Sequence, residues 1–116
     1  MTIATITRDY RPLITVVYDE GVGQYRVEDC NSFSRGYPTD YRSACAERRA
    51  VLAETVAYKV LCLRHGESEA VCEAFRVGAN FEAFRVRGAR PERIAATIVK
   101  EAEAYLNAWR SRWLPA

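Results

Sequence analysis

The side chains best suited to chemistry are a histidine and two cysteines in the middle of the chain. His65 is the only histidine, and the chain has four cysteines. Cys62 and His65 are one helical turn apart and Cys72 follows soon after, so the three could meet at a helix end as zinc ligands. No fourth ligand is evident, and a histidine in the last turn is explained by the favourable field at a helix C-terminus. We therefore predict no metal and no cofactor.

Catalytic motifs are missing from the sequence. It contains no GxSxG nucleophile motif, phosphate-binding loop, HExxH pair or EF-hand loop. With a single histidine, the chain also has few residues that could form a general acid–base pair or activate a nucleophile. The cysteines show neither CxxC spacing nor the density of a secreted scaffold, which favours reduced and mostly buried thiols. We predict that the protein is not an enzyme.

A cluster of arginines in the segment 85–93 could hold phosphates or an acidic partner. Its members are Arg85, Arg87, Arg90 and Arg93. The first two would project from one strand face and the other two from the start of the following helix. Phosphate contacts dominate nucleic-acid affinity, but the formal net charge is only +2 and aromatic residues that could stack on bases are not interleaved. Nucleic-acid binding is therefore the alternative function. A further interpretation is that these arginines are only solvated surface residues and bind no partner.

A second group of candidate contact residues lies in the loop 30–38. Phe33, Arg35 and Tyr37 are close together there, and aromatic residues with arginine form the hot spots of protein interfaces. Trp109 and Trp113 near the C-terminus are further candidates. The alternative is that these rings cover the core. Together these residues favour binding to a protein partner.

Three strands are predicted to precede the loop, forming a β-meander over residues 1–30. Residues 2–8 are rich in Thr and Ile and predict an edge strand. Residues 13–19 predict a central strand, because both faces are largely apolar. Residues 24–29 alternate apolar and charged side chains and predict a half-exposed strand. Glycines in the intervening turn, residues 20–23, suit a tight hairpin.

A long helix is predicted over residues 39–66, and the rest of the chain must pack along it. Thr39 is the expected N-cap and Gly66 the expected closing residue. Apolar residues recur at helical spacing on one side of this helix. They are Cys45, Leu52, Val56, Val60 and Leu63.

The remaining elements are less uniform in pattern. Residues 67–77 fit a short helix ending at Gly78, with a strand as the alternative. Residues 81–87 predict a strand that could join the sheet as its fourth member. Pro91 suits the first turn of a C-terminal helix over residues 91–113, in which Ile94, Ile98 and Ala102 repeat at helical spacing.

The predicted fold is a single α+β domain over residues 1–116, with two layers: an antiparallel sheet of three to four strands packed on two long helices. No stretch is apolar enough to span a membrane, and the N-terminal residues lack the pattern of a signal peptide, so we expect a cytoplasmic protein. The sequence leaves open whether it forms a homo-oligomer.

The expected function is non-catalytic protein–protein binding, as an inhibitor or adaptor of a larger protein or nucleoprotein complex. Small domains without catalytic motifs are typical of the anti-defence proteins that phage and mobile elements encode.

Overall fold

A computed structural model of the protein describes residues 2–29, 38–82 and 89–113. Its elements in chain order are helix α1 (Ile3–Tyr10), a 3-10 helix (Arg11–Leu13), strands β1 (Thr15–Asp19) and β2 (Gln24–Glu28), and helices α2 (Tyr41–His65), α3 (Glu69–Glu82) and α4 (Pro91–Trp113). The predicted two-layer α+β fold is wrong, because the described part of the chain is mostly helical and its sheet has only two strands.

Helix α1 replaces the predicted edge strand at residues 2–8. The Thr2 side chain caps it, since Thr2 Oγ1 accepts a hydrogen bond from the Thr5 N–H at 3.1 Å. Thr7 is buried and its hydroxyl donates to the carbonyl of Ile3 at 2.7 Å. Ile3, Ile6 and Tyr10 fall on one side of the helix and pack into the core. Burial of this side outweighs the strand propensity of Thr and Ile.

Strands β1 and β2 form the predicted hairpin. They pair antiparallel in a register that places Tyr18 opposite Tyr25 and Asp19 opposite Gln24. Gly23 has φ of 71°, as the turn requires. The predicted central position of β1 is wrong, because in the described residues it pairs with β2 alone, and Leu13 belongs to the 3-10 helix.

Helix α2 is the predicted long helix, but its N-cap lies one residue later than predicted and its first helical residue is Tyr41. Asp40 rather than Thr39 caps it, with Asp40 Oδ1 accepting from the Ser43 N–H at 2.8 Å. Gly66 closes it with φ of 78°, and its N–H donates to Cys62 O at 2.8 Å. Of the predicted apolar side, Leu52, Val56 and Val60 are buried, Cys45 is half-buried and Leu63 is 55% exposed. Helical spacing predicts which side of a helix a residue lies on, but it does not predict whether another element packs over that residue, as Leu63 shows.

Helix α3 continues through Gly78, where the sequence predicted its end. A Cβ atom at Gly78 would lie 2.5 Å from the carbonyl oxygen of Ile98, so this glycine allows α3 and α4 to approach closely. Phe81 and Glu82 are helical, which contradicts a strand starting at residue 81. The rest of that predicted strand, residues 83–87, lies outside the described residues. Helix α4 matches its prediction.

The core lies where the four helices meet. Ile14, just before β1, and Val27, in β2, also belong to it. Helix α4 contacts α3 most extensively and also packs on α2. Within the described residues, no helix has the length and apolarity needed to cross a membrane. The buried apolar residues that form the core cluster are Ile6, Ile14, Val27, Val51, Leu52, Ala53, Val56, Ala57, Val60, Leu61, Val71, Ala74, Ala95, Ile98, Val99, Ala102 and Leu106.

Candidate partner-binding face

Three tyrosines contact one another on the surface beside the hairpin. The ring centroids of Tyr18 and Tyr25 are 4.8 Å apart, and those of Tyr25 and Tyr41 are 5.8 Å apart. Both pairs are tilted, at interplanar angles of 50° and 56°. Centroid distances of this size and tilted planes are typical of favourable contacts between aromatic rings. We call Tyr18, Tyr25 and Tyr41 the tyrosine face.

Two elements position these rings. The hairpin register places Tyr18 directly opposite Tyr25, close enough for cross-strand contact. The Tyr25 N–H donates to the carbonyl of Pro38 at 2.9 Å, which brings the entrance of α2 beside β2. Asp40 then caps α2, and Tyr41 is its first residue. Tyr41 is thereby held next to Tyr25.

The tyrosine face is exposed although its rings contact one another. Tyr18 is 51% exposed and Tyr41 is 63% exposed, while Tyr25 between them is half-buried. Tyrosine has an apolar ring and a polar hydroxyl, and few rotatable bonds to immobilise. The ring contacts restrict the rotamers further before any partner arrives.

A groove of about 600 Å³ adjoins the tyrosine face at Tyr41. Its lining combines residues from the 3-10 helix, β1, α2 and the start of α4. We call it the basic groove, because three of its side chains are arginines. The lining residues are Arg11, Pro12, Ile14, Thr15, Val16, Tyr41, Cys45, Arg48, Arg49 and Pro91.

The three arginines of the basic groove differ in what they bind. Arg48 donates from Nε to the Ile14 carbonyl at 2.6 Å and from Nη2 to the Arg11 carbonyl at 2.8 Å. Arg11 forms an ion pair from Nη2 to Glu92 Oε1 at 3.1 Å. For Arg49, the described part of the chain provides neither a hydrogen bond nor an ion pair. One guanidinium is therefore paired with a carboxylate and one is fixed by backbone carbonyls, while that of Arg49 has no partner among the described residues.

Two pKa shifts occur at the entrance of α2. A hydrogen bond from the Ser43 backbone N–H, followed by one with the Ser43 hydroxyl, holds the pKa of Asp40 below its ordinary value. A side-chain hydrogen bond with Cys45, followed by repulsion from the charge of the Cys45 thiolate, raises the pKa of Tyr41. A phenol is uncharged at neutral pH even without this shift, so the groove is bordered there by a neutral hydroxyl. The capping carboxylate stays ionised, as the positive end of the helix favours.

Only some of the contact residues predicted from the sequence are among those that the structure describes. Trp109 lies on α4 and is 41% exposed, while the side chain of Trp113 is not among those described. Arg90 and Arg93 are exposed at the start of α4, next to the groove residue Pro91. The remaining predicted residues lie outside the described ranges. They are Phe33, Arg35, Tyr37, Arg85 and Arg87.

The cysteine and histidine candidates have other partners. His65 Nε2 lies 2.8 Å from Glu103 Oε2, and Arg64 pairs with the other oxygen of that carboxylate at 3.0 Å. Cys72 Sγ lies 3.4 Å from the hydroxyl oxygen of Tyr58. In residues 2–29, 38–82 and 89–113, no group of three or more His, Cys, Asp or Glu side chains is placed to hold a metal ion.

Tyr58 is affected by the thiols beside it. Its hydrogen bond with Cys72, followed by one with Cys62, raises its pKa well above the ordinary value. Its ring also makes an edge contact with Phe75, with centroids 5.4 Å apart. The cluster joins α2 to α3 and is part of the framework.

A smaller groove of about 300 Å³ lies between α1, the 3-10 helix and α2. Its lining is mainly apolar, with one acid and one lysine. The lining residues are Ile6, Asp9, Tyr10, Leu13 and Lys59. Leu13 is half exposed there. Its described lining residues include one aromatic side chain, Tyr10, and no arginine.

Sequence reasoning missed the tyrosine face, although part of its signal was readable. A four-residue turn at residues 20–23 places Tyr18 opposite Tyr25, so their contact follows from the hairpin alone. The approach of Tyr41 depends on how α2 packs against β2, which local patterning does not specify. The basic groove likewise joins residues that are far apart in sequence.

The chain was compared with protein-family models, curated proteins and solved structures, and none of them matches it. We therefore base the functional proposal on the side-chain geometry of this chain.

Proposed function

We propose that the protein is a non-catalytic binding protein whose tyrosine face contacts a protein partner. It acts as an inhibitor or adaptor of a larger complex. The observation that carries the proposal is the row of contacting tyrosines, two of which are more than half exposed, beside a groove lined by three arginines.

The residue types favour a protein partner on energetic grounds. Tyr and Arg are enriched among the interface residues whose truncation costs most affinity. Binding also costs entropy for each side chain that becomes ordered. Contacts of Tyr25 with Tyr18 and Tyr41 order all three rings in advance. Because less entropy is lost on binding than for rings that are free to rotate, a larger share of the free energy gained by burying the rings contributes to affinity.

Affinity capture from extract of the cells that encode the protein tests the proposal. The unmodified chain and a Tyr18→Ala/Tyr41→Ala double variant are compared by quantitative mass spectrometry. Truncating hot-spot residues costs about 2 kcal/mol or more each, so we expect at least a roughly thirtyfold loss of the specific partner. Both tyrosines are surface residues, and the melting temperature should change little.

The matched control is a Leu63→Ala/Val77→Ala double variant, which removes two exposed apolar side chains elsewhere on the surface. It should capture the partner as the unmodified chain does. Equal capture by all three proteins would refute the tyrosine face as the binding surface. Turnover of a small-molecule substrate by the purified protein would refute the non-catalytic assignment.

Nucleic-acid binding is the second candidate. It is favoured by the exposed Arg90 and Arg93, which are close in sequence to the groove residue Pro91, and by Arg49 in the groove lining. If these side chains bind phosphates, log K for duplex DNA falls with log salt by about 0.9 per phosphate neutralised. An Arg90→Glu/Arg93→Glu variant would then bind more weakly with a shallower slope. The protein-binding proposal predicts no tight, salt-dependent affinity for an oligonucleotide and no effect of this variant.

A further inference from the structure

The geometry points to an acidic protein partner: we propose that the basic groove receives an Asp or Glu side chain of the partner that contacts the tyrosine face. The inference rests on the proposed function and deepens it by naming the partner's chemistry. Tyr41 belongs to both the face and the groove, so one bound segment can reach both.

The charges of the groove favour an anion. It contains the guanidinium groups of Arg11, Arg48 and Arg49. Among the described residues, the carboxylate paired with them is that of Glu92, at 3.1 Å from Arg11. The backbone carbonyls that bind Arg48 fix its position without cancelling its charge. The described part of the groove therefore keeps an excess of positive charge.

The donors that remain suit a carboxylate. Two nitrogens of Arg48 are used by the carbonyls of Ile14 and Arg11, which leaves its Nη1 and the whole guanidinium of Arg49 available within the described residues. A guanidinium presents parallel N–H donors that match the two oxygens of a carboxylate. Tyr41 borders the site, and its phenol is uncharged at neutral pH, so it does not repel an anion.

A nucleic-acid backbone fits this groove less well than a single acidic side chain. Binding to a phosphate chain gains affinity by neutralising several phosphates in a row. Within the described residues only the guanidinium of Arg49 has all its donors available, and the formal net charge of the chain is +2. The apolar lining residues Ile14, Val16 and Pro91 also suit the hydrocarbon part of a protein side chain.

Selection from a random-peptide display library tests the inference. The immobilised protein is the bait, and the selected peptides are sequenced and synthesised. We expect enrichment of Asp or Glu next to an aromatic or large apolar residue. Binding of a selected peptide should fall about tenfold in Arg49→Gln and by less in Arg49→Lys, which keeps the charge but loses the planar fork.

The control is Arg76→Gln, which removes an exposed arginine from α3 and should leave peptide binding unchanged. A Tyr18→Ala variant should weaken the binding of all selected peptides, acidic or not. Because Tyr18 belongs to the face and is not among the described residues that line the groove, this loss separates the contribution of the tyrosine face from that of the groove.

The outcomes distinguish the inference from the proposed function. Peptides that depend on the tyrosines but lack acidic residues, or that bind Arg49→Gln unchanged, would overturn the acidic partner and leave the tyrosine face intact. Failure to select any peptide would count against both. Salt-sensitive binding of a single-stranded oligonucleotide that is lost in Arg49→Gln would replace both with nucleic-acid recognition.

Discussion

At the contact of α3 with α4, the backbones approach so closely that a Cβ on Gly78 would lie 2.5 Å from the Ile98 carbonyl oxygen. At the tyrosine face, by contrast, Tyr18 and Tyr41 keep more than half of their surface in solvent. At the contact of the two helices, residues of α3 and α4 pack against each other and leave no space for an added methyl group. The face combines rings that contact one another with exposed area, which is what the proposed partner-binding role requires.

This difference separates two kinds of substitution. A change at the helix contact leaves a void or creates a clash, so it should cost folding free energy. A change at the tyrosine face removes contacts mainly with solvent and with neighbouring rings, so it should cost affinity but little stability. Stability measurements on matched pairs of variants test this separation.

Leu61→Ala should have the largest effect. Leu61 is fully buried in the core, and replacing a buried leucine by alanine costs about 3 kcal/mol through lost transfer energy and the cavity left behind. Chemical denaturation measures the change. Leu63→Ala on the same helix is the control, because Leu63 is mostly exposed, and a similar cost for both would contradict the burial of the core.

Gly78→Ala should cost about 2 kcal/mol despite the better helix propensity of alanine, because the added methyl must push α4 away. The same substitution at Gly21 meets only the end of the flexible Asp19 side chain, at 3.3 Å, and should be close to neutral. Thermal melting of both variants decides the point. A stabilised Gly78→Ala would show that α3 and α4 do not approach as described.

Arg48→Met should cost about 1.5 kcal/mol, because it leaves the carbonyls of Ile14 and Arg11 without a charged donor. Methionine keeps much of the hydrocarbon stem. Arg49→Met is the matched control and should leave stability nearly unchanged. If Arg49→Met were the more destabilising of the two, Arg49 would be part of the framework rather than free to bind a partner.

Asp40→Ala should have the smallest effect, and the effect should depend on pH. The folded-state pKa of Asp40 is lowered, so its contribution is present above the ordinary carboxyl pKa of about 3.9 and is lost as pH falls through the lower folded value. We expect a lower melting temperature than that of the unmodified protein at neutral pH, and a smaller difference in strong acid. An equal difference at both pH values would contradict the capping role.

Local patterns in the sequence predicted the elements with strong periodicity. The hairpin and helices α2 and α4 follow from alternation, capping residues and helical spacing. Residues 2–8 were wrongly predicted as a strand, because burial of Ile6 against the core outweighs local propensity. Gly78 was wrongly predicted as a helix end, because its role depends on the carbonyl of Ile98, twenty residues away in the sequence.

The candidate site was less predictable than the fold. Tyr18 and Tyr25 can be paired from the turn length, but Tyr41 joins them only through the bond between Tyr25 and Pro38. Arg48 binds the backbone carbonyls of Ile14 and Arg11, and no local pattern around it indicates these partners. Such contacts join distant segments, and one sequence carries no direct signal of them.

Site-specific photo-cross-linking tests the central claim most directly. A photoreactive phenylalanine analogue replaces Tyr41 in one protein and Arg76, on the exposed side of α3, in another, and both are irradiated in extract of the cells that encode the protein. We predict a discrete protein adduct from position 41 that is lost on adding Tyr18→Ala, and none from position 76. Equal labelling at both positions, or adducts from position 76 alone, would contradict a partner-binding role for the tyrosine face.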